Sequence, residues 1–352
     1  MTLGISQTYH RTQKTIESLI QKAEKENPVF EPEVTKDLGF SKDYKQFNRM
    51  IGNPLNRNTG QPQDVTPYQE ENHRLVEEYH KVMELKARKM GSTEGFYRSI
   101  AMNCFDRYMQ HDVMVVAGNE LNTAREILQR FYELFQDKKS IGGYAFIDDY
   151  GNKWREAELL RRVSIHGAKP IIEFRNDTRV FCFAASRQGK SQSFRGPDDV
   201  ISILFSETAH TGMIDDQPIM NALEPNLANR DDADFIMETT GNGKRGFFYN
   251  YWMDVQEQKM KGWKQVMWDY HEGLKYGVLS KKFLAQQKNN PRIDFLQEYC
   301  CKFTSTVSGI FKEEDISLLP EDAPEPTDLL KAIGRDYNSK QEEDDSEFEH
   351  EE

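Results

Sequence analysis

Two segments of the chain combine the residue types that bind phosphate groups. Residues 184–191, AASRQGKS, fit the pattern A/G-x4-G-K-S/T, whereas residues 86–93, KARKMGST, match only its glycine and its final threonine, with Ser92 at the usual lysine position. A phosphate loop needs a helix directly behind it, because the N-terminal amides and dipole of that helix hold the phosphates. Residues 192–199, which include Pro197, leave no room for such a helix, whereas a helical pattern follows the earlier segment. We therefore expect the phosphate loop at residues 86–93.

The residues of this earlier loop suit a nucleotide with its metal ion. Gly91 allows the backbone amides of the loop, including those of Met90 and Ser92, to approach phosphates closely, and the Thr93 hydroxyl suits Mg²⁺. ATP and Mg²⁺ are therefore the expected cofactors. Considered alone, the same residues also fit an ordinary strand-to-helix turn with a glycine and exposed basic side chains.

A carboxylate follows a later apolar run. Residues 200–206, VISILFS, read as a buried strand, and Glu207 follows it directly. A carboxylate at the carboxyl end of a parallel strand lies where such a sheet binds its ligand, so Glu207 could orient water for attack on a γ-phosphate. Ser206 could hold a water molecule of the metal ion. The alternative is a buried strand that merely ends in a solvated glutamate.

Polar residues also end the last predicted strand, residues 234–240. Thr239, Thr240 and Asn242 place hydroxyls and an amide at its carboxyl end, beside two glycines. Such groups can sense whether a γ-phosphate is present, and the glycines allow the backbone to rearrange.

Tyr68 and Gln69, which precede the loop in the sequence, could bind the adenine base of the nucleotide. Gln69 has one amide donor and one acceptor to pair with adenine, and the ring of Tyr68 could stack on it. The alternative for Gln69 is a surface residue at the start of a helix.

The elements that must position these residues alternate along the chain. Helical patterns at 70–80, 93–110 and 122–135 alternate with apolar runs at 81–85, 112–118, 179–184, 200–205 and 234–240. This order predicts an α/β fold, a mainly parallel sheet with helices on both faces. Beyond Trp252 the pattern predicts mainly helix up to about Phe311. We divide the chain into an N-terminal arm (1–66), a main domain (67–312) and an acidic linker and tail (313–352).

Bulk composition limits the partners only weakly. The formal net charge is −12, but the last twelve residues carry eight carboxylates, so the remainder is nearly neutral and could carry a basic stripe for DNA. No apolar run approaches the length of a membrane span, which predicts no membrane partner. The four cysteines show no metal-binding spacing, which predicts no structural zinc.

The motifs and their order resemble the ATPase region of viral terminase large subunits, over residues 67–312. Tyr68-Gln69 resembles the family's adenine element, residues 86–93 its deviant Walker A loop, and residues 200–207 its Walker B strand preceded by Arg195-Gly196. Residues 235–243 resemble the coupling motif, and residues 295–299, FLQEY, resemble the segment that closes the ATPase region.

This resemblance implies roles, partners and a P-loop NTPase fold of the additional-strand class. Arg88 matches the arginine that opens the family's loop and would act as a transition-state clamp. Lys89, or else Lys86, would replace the loop lysine, and Ser206 stands where an aspartate is usual. The implied partners are double-stranded DNA, a portal protein, a small terminase subunit and identical subunits in a ring, usually a pentamer, on a procapsid in the host cytoplasm. No counterpart of the nuclease domain follows Phe311, so cleavage would need a separate nuclease chain or a longer protein.

Two other functions remain open at this point. A helicase-like ATPase would need a second RecA-like domain, for which the acidic C-terminal residues are too few. A nucleotide-binding assembly protein with weak or no ATP hydrolysis is suggested by the changed lysine and aspartate positions.

Overall fold

A computed structural model describes residues 39–304, apart from 41, 57, 119, 186–193, 195–196 and 213–215. Most of the pattern at 184–191, including Lys190, and the pair Arg195-Gly196 therefore lie outside the described residues. So do the acidic tail and residues 1–38.

An eight-stranded sheet forms the centre of the protein, in the order β10-β1-β9-β8-β2-β7-β6-β5. The first six strands in this order run parallel, and β6 and β5 are antiparallel to their neighbours. A small antiparallel pair, β3 and β4, lies apart from it. The strands are β1 Lys81–Lys86, β2 Asp112–Ala117, β3 Phe146–Ile147, β4 Lys153–Trp154, β5 Leu160–Ser164, β6 Ile171–Phe174, β7 Arg179–Ala184, β8 Val200–Ser206, β9 Asp234–Thr239 and β10 Lys264–Trp268.

Helices cover both faces of the sheet. They are α1 Tyr44–Ile51, α2 Pro67–Tyr79, α3 Ser92–Asn103, α4 Leu121–Glu133, α5 Glu156–Leu159, α6 Gln217–Leu223, α7 Gly246–Gln256, α8 Tyr270–Lys275, α9 Lys281–Lys288 and α10 Phe295–Cys300. Among the described residues, none of these helices is long and apolar enough to cross a bilayer.

Strand β2 shows why the central strands read as continuous apolar runs. Val113 and Val115 pack in the core beneath α1 to α4, whereas Met114 and Val116 pack in a second core with α6 and α7. Because side chains alternate between the faces of a strand, a sheet covered on both faces needs apolar residues at every position. The predicted fold class, a mainly parallel sheet with helices on both faces, is confirmed.

Three parts of the fold differ from the sequence-based expectations. Residues 264–268 form edge strand β10, where helix was expected, and among the described residues this strand pairs only with β1. It is partly exposed and lacks a continuous apolar run, so it carries no strand signal. Strands β3 to β6 were likewise not predicted. Helix α3 ends at Asn103 rather than Gln110, because turns follow it and Gln110 has a left-handed φ of 69°.

The N-terminal part of the described chain packs on the main core. Phe47 and Ile51 of α1 are buried with residues of α2, α3 and the sheet. The boundary proposed at residue 66 stays a prediction.

Candidate active site

The loop between β1 and α3 has the form that phosphate binding requires. Strand β1 ends at Lys86, and a twelve-residue helix begins at Ser92. Lys89 and Gly91 both adopt left-handed conformations, with φ of 68° and 78°, which turn the chain sharply into the helix. The amides of the first turn of α3, which have no partner within the helix, therefore lie at the end of the helix next to this loop.

Tyr68 and Gln69 support this loop from behind. The Tyr68 hydroxyl donates to the Met90 carbonyl, and Gln69 Nε2 donates to the Gly91 carbonyl at 2.9 Å. Gln69 Oε1 also accepts from the Thr66 amide at 2.9 Å, which completes the cap of α2. Both side chains are buried, with 2% and 4% of their surface exposed. Their assignment to adenine stays a prediction, and a base could reach them only if these contacts opened.

Lys86 lies at the centre of the site. Its Nζ is 3.1 Å from Glu207 Oε1 and 3.1 Å from Glu238 Oε2, and the side chain is only 6% exposed. Burial by itself lowers the pKa of Lys86, but the neighbouring carboxylates outweigh burial and raise it above its usual value. Lys89 is exposed instead. Of the two candidate lysines, only Lys86 is thus held against the carboxylate expected to orient water.

Glu238 joins the two residues that the sequence assigned to the metal ion. Its Oε1 accepts a hydrogen bond from Thr93 Oγ1 at 2.7 Å and another from Ser206 Oγ. Glu238 is fully buried on β9, in register with Ser206 on β8. Glu238 was not among the residues predicted for the site from the sequence. Its one signal is a carboxylate inside a buried strand, and its partners depend on strand register, which the sequence pattern does not reveal.

Glu84 is a second buried carboxyl group that the sequence analysis missed. It pairs in register with Glu238, and its Oε1 accepts from Asn72 Nδ2 at 2.8 Å. Burial and the nearby Glu238 raise the pKa of Glu84 to about 8. The carboxyl is therefore largely protonated at neutral pH and adds little negative charge beside the other two glutamates.

Glu207 is presented by a sharp turn at the end of β8. It has a left-handed φ of 52°, and Gly118 lies so close that a Cβ there would be 2.0 Å from the Glu207 carbonyl oxygen. Burial raises the pKa of the Glu207 carboxyl, but the charges of Lys86 and His210 outweigh it and hold that pKa below its usual value. Glu207 is consequently ionised at neutral pH and can act as a base or orient water.

The sequence matches no protein-family model and no curated protein. The structure is similar to solved large terminases. That of bacteriophage HK97 matches with a TM-score of 0.52 and 14% identity, over 73% of this chain and 54% of that chain. The large terminase of a thermophilic bacteriophage matches with a TM-score of 0.51 and 14% identity, over 75% of this chain and 60% of that chain.

The chain has the fold of the phage large terminases. It spans little more than half the length of those two proteins. The resemblance predicted from the order of the motifs is therefore confirmed at the level of the fold.

Within this terminase fold, the segment that the sequence assigned to coupling is bonded to the turn that carries Glu207. The Ala209 amide donates to Thr239 Oγ1 at 3.2 Å, and Asn242 Nδ2 donates to the Ala209 carbonyl at 2.6 Å. His210 Nε2 lies 2.9 Å from Thr240 Oγ1. Because of these hydrogen bonds, a movement of the Glu207 turn would displace the end of β9 as well. The coupling role itself stays a prediction.

Arg88 pairs with Glu298 and not with Glu207 or Glu238 among the described residues. Its Nε lies 2.9 Å from Glu298 Oε2, and its backbone amide donates to the Glu298 carbonyl at 2.8 Å. The side chain is 51% exposed. A transition-state role for Arg88 stays a prediction and would require this ion pair to open.

The oxygen groups at the site fit Mg²⁺. Thr93, Ser206 and Glu238 offer hydroxyl and carboxylate oxygens, which hard cations prefer. Among the residues that the structure describes, no group of three or more His, Cys, Asp or Glu side chains could hold a metal ion. Mg²⁺ commonly takes one or two carboxylates and completes its shell with water and substrate phosphates, so the set present is compatible with it.

Proposed function

We propose that this chain is the motor ATPase of a phage large terminase, which hydrolyses ATP to move double-stranded viral DNA into a procapsid. One observation carries the proposal. At the carboxyl edge of the sheet, Lys86 is paired with the ionised Glu207 beside a loop that opens a long helix. Phosphate, a positive charge and a carboxylate that can orient water would meet there, as phosphoryl transfer requires.

Each part of the site would have its own role in ATP hydrolysis. The amides of the loop and of the first turn of α3 would bind the phosphates, and Lys86 would contribute the positive charge. Mg²⁺, held by Thr93 and Ser206, would neutralise charge on the phosphates. Glu207 would orient the attacking water in line with the γ-phosphate and accept its proton.

ATP hydrolysis would be coupled to movement through the hydrogen bonds between the turn after β8 and the end of β9. Loss of the γ-phosphate would free Glu207, and the turn at residues 208–210 would shift with it. Because Ala209 and His210 are bonded to Thr239, Thr240 and Asn242, the shift would pass to the end of β9 and to α7.

The partners proposed for the motor follow from its resemblance to large terminases. They are DNA, a portal protein, a small terminase subunit and a ring of identical subunits, with cleavage assigned to a separate nuclease chain or to a longer protein. The work would take place in the host cytoplasm at the portal vertex.

The test is phosphate release by the purified chain, with and without DNA and portal. Glu207→Gln should bind a fluorescent ATP analogue within about threefold of wild type but lose roughly 10²- to 10⁴-fold in turnover, because the amide keeps the size of the side chain without its basicity. Glu126→Gln, an exposed carboxylate on α4, is the matched control and should change neither quantity.

Unchanged hydrolysis in Glu207→Gln would contradict the assignment of Glu207. Nucleotide binding by wild type without phosphate release under all these conditions would favour a nucleotide-binding assembly protein over a motor.

A further inference from the structure

The residue directly before Glu207 at the end of β8 carries no charge. Ser206 precedes Glu207 at the end of β8, where the terminase Walker B strand usually carries an aspartate. Mg²⁺ in nucleotide sites is generally bound through at least one carboxylate together with phosphates and water. A serine hydroxyl alone is a poor substitute, because it brings no negative charge.

Strand register brings another carboxylate to the same level of the sheet. Ser206 on β8 lies beside Glu238 on β9, and the Ser206 hydroxyl donates to Glu238 Oε1. The Thr93 hydroxyl donates to the same oxygen at 2.7 Å. Each hydroxyl directs its proton to the carboxylate and keeps its lone pairs for a cation. The carboxylate therefore lies directly beside the hydroxyl that the loop offers to the metal ion.

The second oxygen of Glu238 is not satisfied by hydrogen bonds. Glu238 is fully buried, and its Oε2 has no hydrogen-bond partner among the described residues. The Lys86 ammonium lies 3.1 Å from this oxygen and forms an ion pair with it. A buried carboxylate oxygen in this position is costly unless a cation compensates it.

We propose that Glu238 supplies the carboxylate that binds the Mg²⁺ of the nucleotide, in place of the aspartate that is absent at Ser206. Before ATP binds, Lys86 neutralises Glu238. When ATP and Mg²⁺ bind, Lys86 turns to the phosphates and the metal ion takes over the neutralisation of Glu238. The inference rests on the proposed nucleotide site and names the residue that binds its metal ion.

Because of this exchange of cations, Glu238 should strengthen nucleotide binding in the presence of Mg²⁺ and weaken it in its absence. With Mg²⁺, its carboxylate attracts the ion that bridges to the phosphates. Without Mg²⁺, the same carboxylate repels the phosphates across a few ångströms and competes with them for Lys86. A residue that only held Lys86 in place would favour binding under both conditions.

The experiment measures the affinity of the full chain for a fluorescent ADP analogue in Mg²⁺ and in EDTA. Glu238→Gln should bind about 10- to 100-fold more weakly in Mg²⁺, the usual cost of disturbing a metal site, and equally well or more tightly in EDTA. Glu126→Gln, the exposed carboxylate on α4, is the control and should change neither affinity. Adding Ser206→Asp to Glu238→Gln should restore at least part of the Mg²⁺ dependence.

Two results would overturn the inference. One is that Glu238→Gln binds the ADP analogue more weakly by the same factor in Mg²⁺ and in EDTA. The other is that the ratio of its affinities in Mg²⁺ and in EDTA stays within about twofold of the wild-type ratio. If circular dichroism shows that Glu238→Gln does not fold, Glu238→Asp keeps the charge but shortens the side chain, and an unchanged Mg²⁺ requirement in that variant overturns the inference as well. A wild-type chain that binds no nucleotide in either buffer would instead refute the proposed function.

Discussion

Replacing Lys86 by alanine tests the arrangement of the site most directly. The ammonium lies 3.1 Å from both Glu207 and Glu238, and its side chain is 6% exposed. If Lys86 binds the phosphates, losing one charge-assisted contact should cost roughly 1.5–3 kcal/mol of binding free energy, or about ten- to a hundredfold in affinity.

The same substitution should also destabilise the fold. Removing one partner of a buried ion pair costs roughly 3–5 kcal/mol. The loss of the Glu207 contact costs little of this, because Glu207 is 35% exposed and water can compensate its charge. Most of the cost comes from Glu238, which is fully buried and is left without a cation. Combining Lys86→Ala with Glu238→Gln removes the uncompensated charge, so we expect the free energy of unfolding to recover while nucleotide affinity stays low.

The assay is titration of a fluorescent ATP analogue against Lys86→Ala, Lys89→Ala and Lys190→Ala, alongside urea unfolding of each variant. Lys89 is exposed, so its variant should bind within about threefold of wild type. Lys190, at the other candidate loop, should also matter little. Loss of binding in Lys89→Ala with binding kept in Lys86→Ala would refute the assignment of Lys86. Loss in Lys190→Ala alone would move the nucleotide to residues 184–191.

The remaining predictions concern a buried acid and a close backbone contact. The pKa of Glu84 is raised from its ordinary value to about 8, so the unfolded chain releases this proton at lower pH than the folded chain. The associated stability is fully present below about pH 4.5 and is lost as the pH rises through about 8. The melting temperature of wild type relative to Glu84→Gln should therefore fall between about pH 5 and pH 8, and parallel profiles would refute the shifted pKa. Gly118→Ala places a Cβ 2.0 Å from the Glu207 carbonyl oxygen, so it should lower both the melting temperature and turnover. Gly143→Ala is its control, because a Cβ there meets no atom and only the left-handed φ of 82° costs about 1–2 kcal/mol. Equal melting of the two variants would contradict the close approach.

The sequence determined the elements whose environment imposes a pattern on them. Strands β2, β8 and β9 are buried on both faces, so they read as largely apolar runs that are visible without a structure. The preference for residues 86–93 over 184–191 also followed from local chemistry, because a phosphate loop needs a helix of adequate length behind it. The structure shows that helix as α3.

Tertiary structure decided which side chains meet at the site. Glu84 and Lys86 lie two residues apart and so share one face of β1, but nothing local places Glu238 and Glu207 opposite them. That contact depends on the register of β1 against β9 and of β9 against β8, between strands far apart in the chain. Core packing across the whole sheet sets this register, since a slip of one residue would move each strand's side chains to the other face. For that reason the carboxylates could be seen in the sequence, but only the folded sheet showed that Lys86 lies between them.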